Sequence, residues 1–200
     1  MPTPRKIALI VASTRTNRFA DAPLAWLRTR FADSSDFEVT VIDLRDHPLP
    51  YYDLPVPPSM AARQYNTDAE REVGELLDAA DGFIILANEY NHGYSASLKN
   101  TLDHYMAEFE HKPIAFVGYG NVGGARAIEQ LREVAVELDM VPVKHAVHIL
   151  GPAIMAIRGG DDAIETLAQY DARLEPLLAN LGWWVDATVA ARAVASEVVA

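Results

Sequence analysis

Short apolar runs alternate with stretches of helical periodicity along most of the chain. Residues 7–12 (IALIVA) are apolar without a break, the mark of a strand covered on both faces. Residues 19–31 place Leu24, Leu27 and Phe31 at helical spacing, with Pro23 bending that helix or marking its start. Residues 37–42 (FEVTVI) alternate and predict a second strand. Residues 67–80 predict a helix carrying Val73, Leu76 and Leu77, and residues 83–87 a third strand. A helix over 95–109, a strand over 114–117 introduced by Pro113, a helix over 125–140 and a strand over 143–150 follow. The last strong helical pattern covers 161–181, and the Ala/Val-rich stretch 183–200 predicts a helical tail.

Strands and helices in alternation imply right-handed crossovers, a parallel sheet and a three-layer α/β domain with helices on both faces. Five strands fit the order 2-1-3-4-5 better than the six of a full dinucleotide-binding fold. The expected organisation is one domain over residues 1–182, with the tail 183–200 beyond it. Two segments break the pattern. Residues 43–66 hold Pro48, Pro50, Pro55, Pro57 and Pro58 together with Tyr51, Tyr52 and Tyr65. A loop that long inside a compact domain is usually functional, and its tyrosines predict that it is ordered. Trp183 and Trp184, past the last core helix, suggest either packing on a neighbouring subunit or cover for the domain's own edge.

Composition narrows the function classes. The 200 residues include no Cys, which excludes disulfide scaffolds, thiolate metal sites and thiol nucleophiles. A formal net charge of −11 opposes binding to nucleic acid or to anionic lipid, so an anionic ligand needs a local positive site. No apolar run reaches the ~18 residues of a membrane span, and residues 1–6 lack the apolar region of a signal peptide. The expectation is a cytoplasmic protein with no membrane or nucleic-acid partner.

In an open α/β sheet, ligands sit beyond the carboxyl ends of the strands. After the first strand come Ser13, Thr14, Arg15, Thr16, Asn17, Arg18 and Phe19. Hydroxyls, an amide and two guanidiniums at a helix N-terminus suit a phosphate; an ordinary helix cap with solvated arginines is the alternative. The Gly-x-x-x-x-Gly-Lys pattern of a P-loop is absent. After the third strand come Asn88, Glu89, Tyr90, Asn91, His92, Gly93 and Tyr94, a turn able to border a flat polar ring or simply to cap the next helix.

After the fourth strand, residues 118–124 read literally as Gly-x-Gly-x-x-Gly, the dinucleotide fingerprint. They lie in the fourth unit rather than the first, and the next strand ends without an Asp or Glu to hold a ribose. The glycines read instead as letting backbone approach a ligand, with Tyr119 as an edge or stacking contact.

Other chemistries find no support. His145 and His148 face opposite sides of a strand, and His47, His92, His104 and His111 show no chelating spacing, so no metal is expected. Residues 93–97 (GYSAS) lack the final Gly of a nucleophile elbow. No acid, base or nucleophile constellation emerges. A cofactor is expected to carry any reaction, with no catalytic side chain.

Taken together, the three loops resemble those of the NAD(P)H-dependent FMN reductase family, which includes relatives acting on quinones, azo dyes and chromate. Ser13-x-Arg15 with Asn17-Arg18-Phe19 is similar to the family's Gly-Ser-x-Arg loop, with Ala12 where Gly is usual. Glu89-Tyr90-Asn91 followed by Leu98-Lys99-Asn100 and Asp103 is similar to its Pro-Glu-Tyr-Asn loop and helix start, with Asn88 in place of Pro. Lys112-Pro113, Tyr119-Gly120, Gly123-Gly124, Arg126-Ala127 and Gln130-Leu131-Arg132 match the fourth unit.

The resemblance implies a flavodoxin-like fold with FMN at the carboxyl ends of the strands. It implies that Ser13, Arg15, Asn17, Arg18 and Phe19 form the phosphate loop. Asn88, Glu89, Tyr90 and Asn91 would border the isoalloxazine, with Tyr119 and Gly120 on its other side. NADPH or NADH would be the reductant, a small electron acceptor the substrate, and a homodimer or tetramer the assembly. Two rivals stay open: a flavodoxin-type electron carrier without NAD(P)H turnover, and a Rossmann-type NAD-binding enzyme built on residues 118–123.

Overall fold

The computed structural model describes residues 3–32, 34–61 and 63–199, with side chains followed to residue 195. Strands β1 (Arg5–Val11), β2 (Phe37–Asp43), β3 (Gly82–Asn88), β4 (Pro113–Tyr119) and β5 (Val141–Ile149) are all parallel. They pair in the order β2-β1-β3-β4-β5, the order expected from the pattern. β3 and β4 are buried along their whole length because helices cover both faces, whereas β2, at one edge, alternates half-buried and exposed residues.

On one face, α1 (Asp21–Ala32) and the C-terminal helices pack onto Leu9, Val11, Leu86, Val117 and Val147. On the other face, α3 (Asp68–Asp78), α4 (Ala96–Leu102) and α5 (Ala125–Glu137) pack onto Ile10, Ile85 and Phe116. Because α1 begins at Asp21, Pro23 falls in its first turn, where a missing N–H breaks no helical bond. Thr67 caps α3, and Glu70 closes the reciprocal capping box.

Three elements differ from the sequence expectation. α4 ends at Leu102, not 109, and the chain continues as turns. His104 Nδ1 lies 2.7 Å from the Asn100 carbonyl, the acceptor that its own backbone N–H needs to continue the helix, and that N–H turns to Thr101 O instead. A further helix, α6 (Gly151–Arg158), starts where the sequence suggested only a strand end, with Pro152 in its first turn. The stretch beyond it is broken into α7 (Ala163–Leu167), one turn of 3-10 helix and α8, which runs from Asp171 to Val199 without interruption. The expected helix end at 181 does not occur. Among the described residues, no helix is long and apolar enough to cross a membrane.

The proline-rich segment between β2 and α3 includes a short helix, α2 (Pro58–Ala61), and packs along the outer side of α4. Asn100 Nδ2 donates to the carbonyls of Leu49 and Pro50 at 3.2 and 2.9 Å. The Tyr52 ring stands edge-on to His104 at 5.4 Å, and the Tyr65 hydroxyl bonds the Glu108 carboxylate. Its contacts therefore stiffen the flank of the domain.

Lys112, just before β4, is buried, and its ammonium donates to the carbonyls of Leu77 and Asp78 at 3.0 and 2.9 Å, closing the end of α3. Burial pushes it down to about 8, helped by Arg192 and Arg63 and opposed by Asp78 and Asp81. The unfolded chain keeps this proton up to about 10.4, so unfolding takes up a proton between the two values and stability rises with pH across that window. Between pH 8 and 10.5, wild type should gain about 3 kcal/mol relative to Lys112→Met in urea unfolding. A difference that stays flat with pH would contradict this account of Lys112.

Candidate functional site

The carboxyl ends of β1, β3 and β4 carry the three loops singled out by sequence. The first leaves β1 through Ala12 and Ser13, both buried, and then exposes residues 14–17. Asn17 has φ +53°, a left-handed conformation that Asn tolerates. Among the described residues, none of the backbone N–H groups of residues 14–17 donates to a protein acceptor. Successive free N–H groups around an αL residue form an anion-binding concavity. Arg15 is exposed, lies over the Tyr90 ring at 5.9 Å, and pairs with no carboxylate among the described residues. The Ser13 hydroxyl bonds the Tyr90 hydroxyl at 3.1 Å, which joins this loop to the one after β3.

Arg18 is built differently from the expectation. It is buried, and all five of its N–H groups are engaged inside the protein. Nη1 donates to Ser13 O and to Asp43 Oδ1, both at 2.6 Å. Nε and Nη2 donate to Asp21 Oδ1 at 2.9 and 2.7 Å, and Nη2 also bonds the second oxygen of Asp43. No donor is left for a ligand, so Arg18 ties the end of β1, the end of β2 and the start of α1 into one unit. Burial alone would push the Asp43 carboxyl up, but hydrogen bonds from Arg18 and the Arg45 backbone hold it below the ordinary carboxylate value.

The loop after β3 departs from expectation at two residues. Asn88 is buried, and neither polar atom of its side-chain amide meets a hydrogen-bond partner among the described residues, at the carboxyl end of the central strand. The Glu89 carboxylate is also buried and turns to the next loop: Arg126 donates to it from Nε at 2.6 Å and from its backbone N–H at 3.2 Å. Tyr90 is half-buried, whereas Asn91 is exposed.

In the loop after β4, Tyr119 is buried with its ring 5.4 Å from Phe19, itself a core residue. Burial pushes the Tyr119 hydroxyl up, against the pull of a hydrogen bond with Ser13. The glycines serve internal packing more than ligand approach. A Cβ at Gly123 would meet His148 at 2.6 Å, one at Gly124 would meet the Tyr119 nitrogen at 2.9 Å, and both residues have φ near +70°. Gly120 stays half-exposed beside Glu89. Among the described residues, no group of His, Asp or Glu is arranged to hold a metal ion.

This arrangement is a polar cradle with exposed backbone donors beside a half-buried tyrosine and a glycine loop. The sequence pattern of the NADPH-dependent FMN reductases matches residues 5–152. The chain belongs to that family. An NAD(P)H-dependent FMN reductase of Schizosaccharomyces pombe is 36% identical over 135 residues, 68% of each chain. An FMN-dependent NADPH-azoreductase of Staphylococcus aureus is 32% identical over 130 residues, 64% of this chain and 66% of that one. Among solved structures, the flavoenzyme NAD(P)H:(acceptor) oxidoreductase of Paracoccus denitrificans aligns with a TM-score of 0.62 at 20% identity, covering 92% of this chain and 95% of that one, a likeness of fold.

In this FMN reductase-family chain the expected residues thus separate into two groups. Arg15, Asn17, Tyr90, Asn91 and Gly120 reach the surface of the candidate site, whereas Ser13, Arg18, Phe19, Asn88, Tyr119 and the Glu89 carboxylate lie beneath it. Asp21 and Asp43 as partners of Arg18, and Arg126 as partner of Glu89, were not singled out by sequence. For Asp21 and Asp43 the only signal was position at a helix start and a strand end, whereas Arg126 was already named as part of the fourth-unit match without its partner. Arg18→Met leaves Asp43 buried without its main counter-ion, at a cost of about 3–5 kcal/mol in urea unfolding at neutral pH. The deficit should narrow below the ordinary carboxyl value of 3.8, where protonation removes Asp43's charge. An unchanged midpoint would show that the buried pair holds nothing.

Proposed function

We propose that the chain binds FMN at the carboxyl ends of β1, β3 and β4 and acts as an NAD(P)H-dependent oxidoreductase. The observation that carries this reading is the β1 loop. Its N–H groups at residues 14–17 and the Arg15 guanidinium, which among the described residues meet no protein acceptor and no carboxylate, fit a phosphomonoester, in a chain whose net charge otherwise repels one. When bound, FMN supplies the redox chemistry, taking hydride from NADPH or NADH and returning electrons to a small acceptor. The protein's share is binding and orientation. Arg15 and the loop N–H groups hold the phosphate, with Ser13 and Arg18 fixing the loop from beneath. Tyr90, Asn91 and Gly120 border the ring, and the buried side chains of Phe19, Asn88 and Tyr119 support them.

For the acceptor the proposal takes a small molecule of the flavin, quinone or azo class; the names of the Schizosaccharomyces FMN reductase and the Staphylococcus azoreductase support the flavin and azo classes. The proposal takes the cytoplasm as the setting, a compartment that supplies NADPH and NADH. The flavodoxin-type carrier reading loses ground, since the curated relatives are named as nicotinamide-dependent reductases. A dinucleotide site on residues 118–123 loses ground because those glycines pack against β5 and one another.

We further propose a homodimer or tetramer. Trp183 is 62% exposed while Trp184 packs into the core, and Tyr51 and Met60 stand exposed on the proline-rich segment. Large aromatic surface of this kind is suited to burial by a partner copy. Light scattering at micromolar concentration should give a mass well above the 22.0 kDa of one chain, and a monomer with full turnover would remove the interface reading.

Arg15→Ala is expected to weaken FMN binding about 10- to 100-fold, the worth of a charge-assisted hydrogen bond. Riboflavin, which lacks the phosphate, should lose much less. Titration of the flavin-free protein with both ligands reads the two losses separately. Equal losses would contradict the phosphate assignment, and wild type that binds neither ligand would contradict the proposed function.

A further inference from the structure

Asn91 and His92 form the centre of a two-residue turn. Tyr90 and Gly93 exchange both backbone hydrogen bonds across it, at 2.8 and 3.0 Å, and the central residues have φ of +49° and +70°. This is the pattern of a type I′ turn, whose central positions favour Asn and then Gly. Asn91 suits the first position. His92 carries a Cβ into a region that most side chains avoid, and such a conformation persists only where its surroundings over-determine it.

The surroundings here are on α5. Arg126 Nη1 lies 2.9 Å from His92 Nε2, and since a guanidinium only donates, Nε2 is the accepting nitrogen. One turn along the helix, Gln130 Nε2 donates to the His92 carbonyl at 3.0 Å. A Cβ at Gly93 would stand 3.1 Å from Gln130 Oε1, so the helix also fits closely against the end of the turn. Arg126 simultaneously holds the buried Glu89 carboxylate through its side chain and its backbone N–H. The same two helical residues therefore grip the turn before, within and after its strained position.

We propose that Glu89, Arg126 and Gln130 are positioning residues for the flavin ring. They form one clamp that fixes the turn at residues 90–93 against the start of α5, so that the loops after β3 and β4 keep a single spacing. The proposal rests on the FMN reading above. The clamp's polar groups engage one another and the turn, so they act on the ring through the backbone they hold.

Two measurements on the same proteins test this: amide hydrogen exchange at Tyr90 and Gly93 in the flavin-free protein, and affinities for FMN and riboflavin. Arg126→Met should speed exchange at both amides about ten-fold while leaving the middle of β3 unchanged. It should weaken FMN and riboflavin by the same factor, about ten-fold, because the ring and not the phosphate loses its support. Arg126→Lys should recover part of the loss. Adding His92→Gly to Arg126→Met should slow exchange again and restore riboflavin affinity toward wild type, because glycine holds a positive φ unaided. Unchanged exchange in Arg126→Met, a loss confined to FMN, or no recovery with His92→Gly would each overturn the clamp. Wild type that binds neither flavin would overturn the FMN reading and the ring-positioning role with it, whatever the exchange shows.

Discussion

The carboxyl end of the sheet depends on a buried guanidinium with no donor to spare. Arg18 reaches back to the carbonyl of Ser13, across to Asp43 at the end of β2, and forward to Asp21 at the start of α1. A charge this deep is tolerable only if paired and fully hydrogen-bonded, and both conditions are met. The consequence is geometric. With both ends of the β1 loop fixed, residues 14–17 stay exposed and their N–H groups meet no protein acceptor among the described residues. The consequence is also electrostatic. Asp43 is neutralised locally by Arg18, while Arg15, in a chain of net −11, pairs with no carboxylate among the described residues.

From that anchor the site divides into two halves with different physics. The β1 loop is a cradle of backbone dipoles and one cation, suited to a phosphate. The loops after β3 and β4 are held by side-chain ties: Ser13 to Tyr90, Glu89 to Arg126, and Gln130 to the His92 carbonyl. These ties leave few ionisable groups facing a ligand, which agrees with a reaction carried by a bound redox group rather than by an acid–base pair.

Much of the fold was legible in the chain because the signals were strong and local. All-apolar runs such as residues 7–12 gave the buried strands, and alternation with helical patterns gave the parallel order. The three loops were legible too, because strand carboxyl ends are where ligands bind in such sheets. What sequence position did not reveal was the facing of individual side chains. Arg18 and Arg15 lie in the same short motif, yet one is fully committed inside and the other exposed, a difference set by Asp43 on another strand. Glu89 and Tyr119 likewise turned inward because of Arg126 and Phe19, partners distant in the chain. The early end of α4 arose from one side chain, His104, capturing a carbonyl, which no periodicity records.

The central claim is that this cradle holds a flavin fed by nicotinamide. Its most direct test is the visible absorbance of FMN-loaded protein mixed anaerobically with NADPH or NADH. The account predicts that the flavin band bleaches with at least one nucleotide and returns when a quinone is added. A band that responds to dithionite but to neither nucleotide would contradict it and leave an electron carrier in its place.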